Sequence, residues 1–220
     1  CHDIDIATSA KPSDIQRLFP RTYAVGEAFG VICVLLGDAT FQVATFRADG
    51  AYLDGRHPET VRFSSAQEDA FRRDFTINGL FYDPLTDSVI DHVGGQADLR
   101  SRLLRAIGNP DERFREDRLR LLRAVRFATV LEFRIDPDTL RAVHDHAPAI
   151  REVSPERIRE ELIRILLHPR RVHGFDLLAE TGLLHAIIPE MTALKGCTQP
   201  PQFHPEGDVW IHTRLMLSLL

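Results

Sequence analysis

The sequence predicts an α+β fold, a small head that mixes strands and helices followed by an all-helical second part. Three observations predict it. Up to about residue 92, β-branched runs alternate with short helical segments and turn signals. From Gly94 onward the pattern is helical, with repeated Pro and acidic residues in first turns. Neither part contains an internal repeat or a low-complexity tract.

The elements follow in order. "HDIDIATSA", residues 2–10, reads as a strand with Asp3 and Asp5 on one face and Ile4 and Ile6 on the other. "KPSDIQRLF" is a short helix with Leu18 and Phe19 at its apolar end. "FGVICVLLGD" and "TFQVATFR" are two strands joined by a hairpin turn at Gly37-Asp38. "ADGAYLDGRHPETVRF" is polar and bears Gly and Pro, which predicts a mobile loop. "SSAQEDAFRRDF" has Ser at a helix start and acids in its first turns. "LFYDPLTDSVIDH" is a second hairpin around Asp83-Pro84, and the glycines of "DHVGG", residues 91–95, predict a hinge between the two parts.

Five helices then follow. "DLRSRLLRAIG" ends at Gly108, and "DERFREDRLRLLRAVRFATVLEF" forms one long helix after Pro110. "DPDTLRAVHDHA" starts with Asp136 as N-cap and Pro137 at the first helical position. "SPERIREELIRILL" starts in the same way at Ser154, and "VHGFDLLAETGLL" closes the series.

Composition bounds the function. The 220 residues are 44% hydrophobic and 27% charged, as in a soluble globular protein, and no apolar run approaches membrane-spanning length. Three cysteines without CxxC spacing predict reduced thiols and a cytoplasmic setting. Net charge is −5, yet residues 100–175 hold about 17 Arg and Lys against 12 Asp and Glu, and every one of those cations is arginine. A regional surplus of planar bidentate donors permits a nucleic-acid surface, though solvated helix faces would read the same way. The lack of an initiating Met, and an end inside the apolar run "WIHTRLMLSLL", predict a fragment.

Three stretches can carry chemistry. Two carboxylates on one strand face can bridge two Mg²⁺ ions, but surface strands carry such pairs often, so Asp3 and Asp5 alone are a weak signal. "RRDFTIN", residues 72–78, follows a helix with two cations and a carboxylate. It could hold phosphate and ribose, or merely complement a helix C-terminus. In "REDRLRLLRAVRF", residues 115–127, Asp117, Arg120, Arg123 and Arg126 recur every third residue beside an apolar row of Leu119, Leu122 and Val125. Asp117 can accept from an exocyclic base amine while Arg120 donates to ring acceptors, imitating a Watson–Crick edge.

Together with "DHVGG…DL" and "SPERIREEL", these stretches resemble, in order, the motifs of class II tRNA nucleotidyltransferases, the CCA-adding enzymes, and of the related bacterial poly(A) polymerases. The resemblance runs from about residue 2 to residue 190. It implies a nucleotidyltransferase head with a small mixed β-sheet over residues 1–92 and a helical neck and body over residues 93–200. Asp3 and Asp5 would be catalytic and bind two Mg²⁺ ions. Arg73 would meet the triphosphate and Asp74 the ribose. Asp117 and Arg120 would select CTP or ATP, and Arg123 and Arg126 would complete the nucleotide pocket. The partner would be the 3′ acceptor end of tRNA, whose hydroxyl attacks the α-phosphate as pyrophosphate leaves.

The sequence departs from the family at four places. The glycine-rich phosphate loop that precedes the aspartate pair is not in the sequence, so weak nucleotide binding and little or no catalysis are expected of this chain. Gln42 stands on the strand that carries a third acid, and Gly79 stands where alanine is usual. "FHPEGDVWIHT" resembles the opening of an HD-type phosphohydrolase domain, with His212 as its first ligand, over residues 201–220. Glu27 and Ala28 replace arginines typical of poly(A) polymerases, which favours CCA addition; CC-only addition, a non-catalytic RNA-binding module and an HD phosphohydrolase are the rival readings.

Overall fold

A computed structural model describes residues 4–26, 30–50 and 60–220. Asp3, Glu27, Ala28 and most of the loop "DGAYLDGRHP" lie outside the described residues.

The head opens with β1 (Asp5–Thr8), α1 (Pro12–Leu18), β2 (Thr22–Gly26), β3 (Val31–Leu36) and β4 (Ala39–Thr45). The strands form one sheet in the order β1-β4-β3-β2, with β1 parallel to β4 and the other pairs antiparallel. The sheet is therefore small and mixed. Gly37, at φ 60°, makes the β3–β4 turn in a conformation that glycine adopts without strain. β2 escapes the sequence reading because "TYAVG" carries no polar-apolar alternation, and Tyr23 and Val25 are exposed on this edge strand.

β5 (Arg47–Asp49) and β6 (Val61–Phe63) pair antiparallel, so the ends of the stretch read as a loop form a ribbon. α2 (Ala66–Phe71) begins at Ser65, whose hydroxyl accepts from the Glu68 amide. A 3-10 turn (Thr76–Asn78) leads into the hairpin of β7 (Leu80–Asp83) and β8 (Ser88–Asp91).

The expected hinge is a capped turn. The Asp91 carboxylate accepts from the amides of Val93, Gly94, Gly95 and Gln96, closing the N-terminus of α3 (Gly95–Ser101). A Cβ on Gly95 would stand 2.2 Å from the Thr76 carbonyl oxygen, so glycine here serves close packing rather than flexibility.

α3 stops at Arg102, in the left-handed region at φ 50°, rather than running to Gly108. β9 (Leu103–Leu104) follows, later pairing in parallel with β10 (Arg134–Ile135), a small exception to the all-helical second part. The long helix expected after Pro110 is two helices, α4 (Pro110–Glu116) and α5 (Arg120–Leu131). Asp117 is extended at φ −143°, and its carboxylate accepts from the Leu119 amide, which competes with helix continuation.

The remaining helices are α6 (Pro137–His146), α7 (Pro155–Leu166), α8 (Arg171–Glu180), α9 (Leu183–Ile187), α10 (Pro189–Thr192) and α11 (Val209–Leu219). Asp136 caps α6 as its sequence predicts; Ser154 occupies the cap position of α7 without a side-chain bond. The helical core centres on the buried face of α5, where Leu121, Leu122, Ala124, Val125 and Ala128 are fully enclosed. Phe75, from the segment after α2, is also buried in this core, edge-on to Phe127 at 5.8 Å. The head has its own smaller cluster of Ile15, Ile32, Val34 and Val43.

Candidate active site

The break before α5 faces the end of α2 and the strand β1. Between them lies a cleft of about 480 Å³ whose walls include Asp5, Arg73, Asp74, Asp117, Arg120 and Arg123. Side chains far apart in sequence meet because Phe75 roots the segment after α2 in the same core that holds α5.

The arginines after α2 are held from below. Asp69, buried at 2% exposure, accepts from Nε and Nη2 of Arg72 at 3.0 and 2.7 Å and from Nε and Nη2 of Arg73 at 3.2 and 3.0 Å. It also accepts from the Arg47 amide, which ties the helix to β5. Arg73 Nη1 donates to the Asn78 carbonyl at 2.9 Å, and its guanidinium lies 4.8 Å over the Phe81 ring. Two planar cations are thus held in fixed directions, with the Nε–Nη2 edge of each turned onto Asp69.

Asp74 is almost wholly enclosed. Its Oδ1 accepts from the Phe75 amide at 2.8 Å and from Asn78 Nδ2 at 2.9 Å, while Oδ2 takes Arg123 Nε and Nη2 at 2.7 and 2.6 Å. Burial pushes its carboxyl upward, but the Arg123 charge and the bonds from Asn78, Arg123 and Phe75 outweigh that, leaving it below the ordinary carboxylate value. The Asp74–Arg123 pair fastens the segment after α2 to α5.

Asp117 lies in the turn before α5 rather than on the helix. Arg157, from the first turn of α7, donates to its Oδ2 at 3.2 Å. Arg120, 8% exposed, donates through Nη1 to the Arg113 carbonyl and to Glu116, and through Nη2 to the Arg72 carbonyl at 3.1 Å. These bonds use three of its five N–H donors and leave two uncommitted among the described residues.

Arg126 does not line the cleft. Three residues along a helix turn the side chain by about 300°, so Arg126 swings past Arg123 toward α7. There it pairs with Glu161 at 2.7 Å and lies 4.3 Å over Phe127. In this structure Arg126 is therefore placed at the contact between α5 and α7 rather than among the cleft-lining residues.

Asp5 stands at the sheet end of the cleft. It is exposed on β1, lines the cleft, and its carboxylate takes no side-chain bond or ion pair from a described residue. Gln42 is its register partner on β4, so the neutral residue sits beside the aspartate. Oxygen donors of this kind suit a hard cation such as Mg²⁺.

Asp69, Asn78 and Arg157 were not singled out from sequence. Asp69 was findable, because its spacing of three and four residues from Arg72 and Arg73 is that of helix neighbours. Arg157 was not, because it reaches Asp117 across 40 residues.

Residues 1–105 match the family described as Poly A polymerase head domain, and residues 132–195 match one described as Probable RNA and SrmB- binding site of polymerase A. A CCA-adding enzyme of Geobacillus kaustophilus is 44% identical over 192 residues, 87% of this chain and 47% of that protein. The chain belongs to the CCA-adding enzyme and poly(A) polymerase family. A family member from Limosilactobacillus reuteri is 40% identical over 222 residues, 99% of this chain and 55% of its own. The crystal structure of the Bacillus stearothermophilus CCA-adding enzyme in complex with CTP superposes with a TM-score of 0.75 at 41% identity, covering 82% of this chain and 44% of that one. A CCA-adding enzyme in an apo form shares the fold at a TM-score of 0.72 and 22% identity, over 99% of this chain and 56% of its own. The chain thus spans about half the length of the relatives it matches. No helix among the described residues is long and apolar enough to cross a membrane.

Proposed function

We propose that this chain carries the nucleotide-selecting centre of a CCA-adding tRNA nucleotidyltransferase. The enzyme transfers CMP and AMP from CTP and ATP to the tRNA 3′ end, releasing pyrophosphate. One observation carries the reading: a single cleft joins an exposed strand aspartate, an anchored arginine pair and the Asp117–Arg120 turn.

In this reading Asp5, with Asp3, holds two Mg²⁺ ions, which when bound neutralise the triphosphate and activate the attacking hydroxyl. Arg73 and Arg72 hold the triphosphate in the direction that Asp69 sets. Asp74, fixed by Arg123 and Asn78, faces the ribose. Asp117 accepts from the exocyclic amine that CTP and ATP share, while the two uncommitted donors of Arg120 meet ring acceptors. A protein edge of this kind rejects uracil and guanine, because neither offers an amine and acceptor in that arrangement.

Residues 1–92 act as the head and 93–200 as the neck and body, with residues 201–220 opening an HD-type domain. The arginine excess over residues 100–175 supports binding of the tRNA acceptor end, and the match of residues 132–195 to an RNA-binding family agrees with it. A cytoplasmic setting belongs to the same proposal.

The test supplies tRNA lacking its 3′ end with labelled CTP and ATP, singly and together, to the protein in the presence of Mg²⁺. Addition of two C residues and one A is expected. Long A tracts on any RNA would select the polymerase reading, and no incorporation would overturn the enzyme.

A further inference from the structure

At the far end of α5 from the base-reading turn, the chain enters β10 and meets α6 and the start of α8. A second cavity of about 430 Å³ lies there, and it shares no residue with the cleft. Phe133, Leu140 and Leu177 are half-buried and make its apolar floor. Arg134, Arg170 and His173 are exposed and make its rim. Because α5 runs for 12 residues, about 18 Å of helix separates Arg120 from this cavity. A group seated here is therefore a different one from any that Arg120 holds.

The rim is available and the floor is fixed. Arg134 and His173 take no side-chain hydrogen bond or ion pair among the described residues. Arg170 pairs with Glu132 at 2.7 Å, but the two side chains keep 53% and 45% of their surface in solvent. An ion pair so exposed is weak, and a phosphate can take the place of the carboxylate. Behind the cavity, the Arg134 amide donates to the Arg102 carbonyl at 2.9 Å and fastens β10 to β9. Gly174 lets α8 approach so closely that a Cβ there would stand 2.9 Å from Thr129 Oγ1 of α5.

The lining chooses the ligand. An aromatic ring in an apolar floor, beneath a rim of planar cations, matches one unstacked nucleotide, with its base against the ring and its phosphate on the arginines. A bare anion would leave the floor in water, and an uncharged apolar group would leave the rim unused. An acidic peptide answers the charge equally well. Every residue lining the cavity, however, falls within 132–195, the stretch that matches an RNA-binding family. We propose that this cavity seats one unpaired nucleotide of the tRNA, base inside and phosphate on Arg134 and Arg170. Taking tRNA as the source of that nucleotide rests on the function proposed above. The RNA is then gripped at a point remote from the one where the incoming nucleotide is chosen.

The methyl resonances of Leu140 and Leu177 report on the cavity in the unsubstituted chain. A short oligocytidylate should shift both, whereas an abasic ribose-phosphate oligomer of the same length and oligoglutamate should not. Arg134→Gln, at an exposed position, should lower the slope of log tRNA affinity against log salt by about 0.7–0.9, the share of one phosphate contact. Phe133→Leu should weaken tRNA binding by about 5–150-fold, the range of one base–aromatic stack. CTP affinity should be unchanged in both variants. Equal shifts with the abasic oligomer or with oligoglutamate overturn the proposal, as does an Arg134→Gln protein with unaltered tRNA affinity and salt slope. Nucleotide addition to tRNA with unmoved methyls overturns the cavity site alone. Methyl shifts without nucleotide addition overturn the function and leave the RNA site standing.

Discussion

The two walls of the cleft rest on unequal foundations. On the sheet side, the buried cluster is four side chains, Ile15, Ile32, Val34 and Val43, and Ile4, Ile6, Tyr23 and Val25 are left exposed. On the helical side one cluster runs from Phe75 to Ala186 and encloses the inner face of α5 completely. The difference matches what the proposed function asks of each wall. Choosing a base by its edge requires donors and acceptors held to a fraction of an ångström, and those groups stand on or beside the best-packed helix. An oxygen ligand for a hard cation, the role proposed for Asp5, tolerates more play, and Asp5 sits on an edge strand. The arginines between them are positioned by Asp69 rather than by packing.

The sharpest break of this comparison is Asp5→Asn. Under the proposed function, removing this carboxylate would take away a cation ligand and several kcal/mol of transition-state charge stabilisation, so nucleotide addition should fall at least about 1000-fold. The unfolding midpoint should not move, because the side chain is exposed and unpaired among the described residues. A matching fall in stability would show that β1 is structurally coupled to the core after all. Leu122→Ala should do the reverse. Leu122 is fully enclosed in α5, so about 2–5 kcal/mol of stability should be lost in denaturant unfolding. Val34→Ala, at 2% exposure in the small cluster, should cost less and accelerate amide exchange in β3 and β4 while α5 stays protected. Equal acceleration in both places would mean that the two cores unfold as one.

Much of this was legible because local chemistry and tertiary role coincided. The hairpins at Gly37-Asp38 and Asp83-Pro84, the caps at Ser65 and Asp136, and the apolar row Leu119, Leu122 and Val125 all appear where residue type alone places them. The failures share a cause. "DERFREDRLRLLRAVRFATVLEF" has unbroken helical periodicity, but Asp117 caps the amide of Leu119 and splits it, and periodicity cannot weigh a side-chain bond against a backbone one. The glycines of "DHVGG" signalled freedom, whereas Asp91 and the Thr76 carbonyl turn them into a packed corner. Arg126 shares its spacing with Arg120 and Arg123 yet points elsewhere, because only the position of Glu161 decides where it ends. Within the cleft, most of the lining residues named from sequence are there; the partners that aim them, Asp69, Asn78 and Arg157, carry no comparable signal apart from the helical spacing of Asp69.

A smaller effect tests the strut between the walls. Asp74→Asn removes the charge that Arg123 answers inside a nearly enclosed pair. The loss should be about 1–3 kcal/mol at neutral pH, below that of a wholly buried pair because Arg123 keeps 32% of its side chain in solvent. The pH dependence has a definite sign. The folded carboxyl lies below its ordinary value, so its stabilisation is complete above the unfolded value of about 3.9 and disappears as pH falls through the folded one. Urea unfolding of the two proteins should therefore differ at pH 7 and converge as pH drops below about 4. A gap that persisted at low pH would assign the loss to the Asn78 and Phe75 bonds instead of to charge.

The smallest expected effect lies at Gly79, where the segment after the 3-10 turn meets the side chains of Val93 and Ile107. Its φ of −94° is open to any residue, so alanine meets no backbone strain. Two consequences oppose each other. Fewer unfolded conformations should favour Gly79→Ala by about 0.4–1 kcal/mol. Against this, the new Cβ would stand 2.7 Å from Val93 Cγ2, and that methyl must turn aside. Because the obstacle is the end of a side chain rather than backbone, unlike that at Gly95, the cost should nearly cancel the gain and leave stability within about 0.5 kcal/mol. Pairing the substitution with Val93→Ala separates the two terms: the double variant should be more stable than Val93→Ala alone by the entropic amount. A loss above about 2 kcal/mol for Gly79→Ala would show that the junction between the walls is packed as rigidly as the helical core, and the contrast between the two sides would then stop at the sheet rather than reach the cleft.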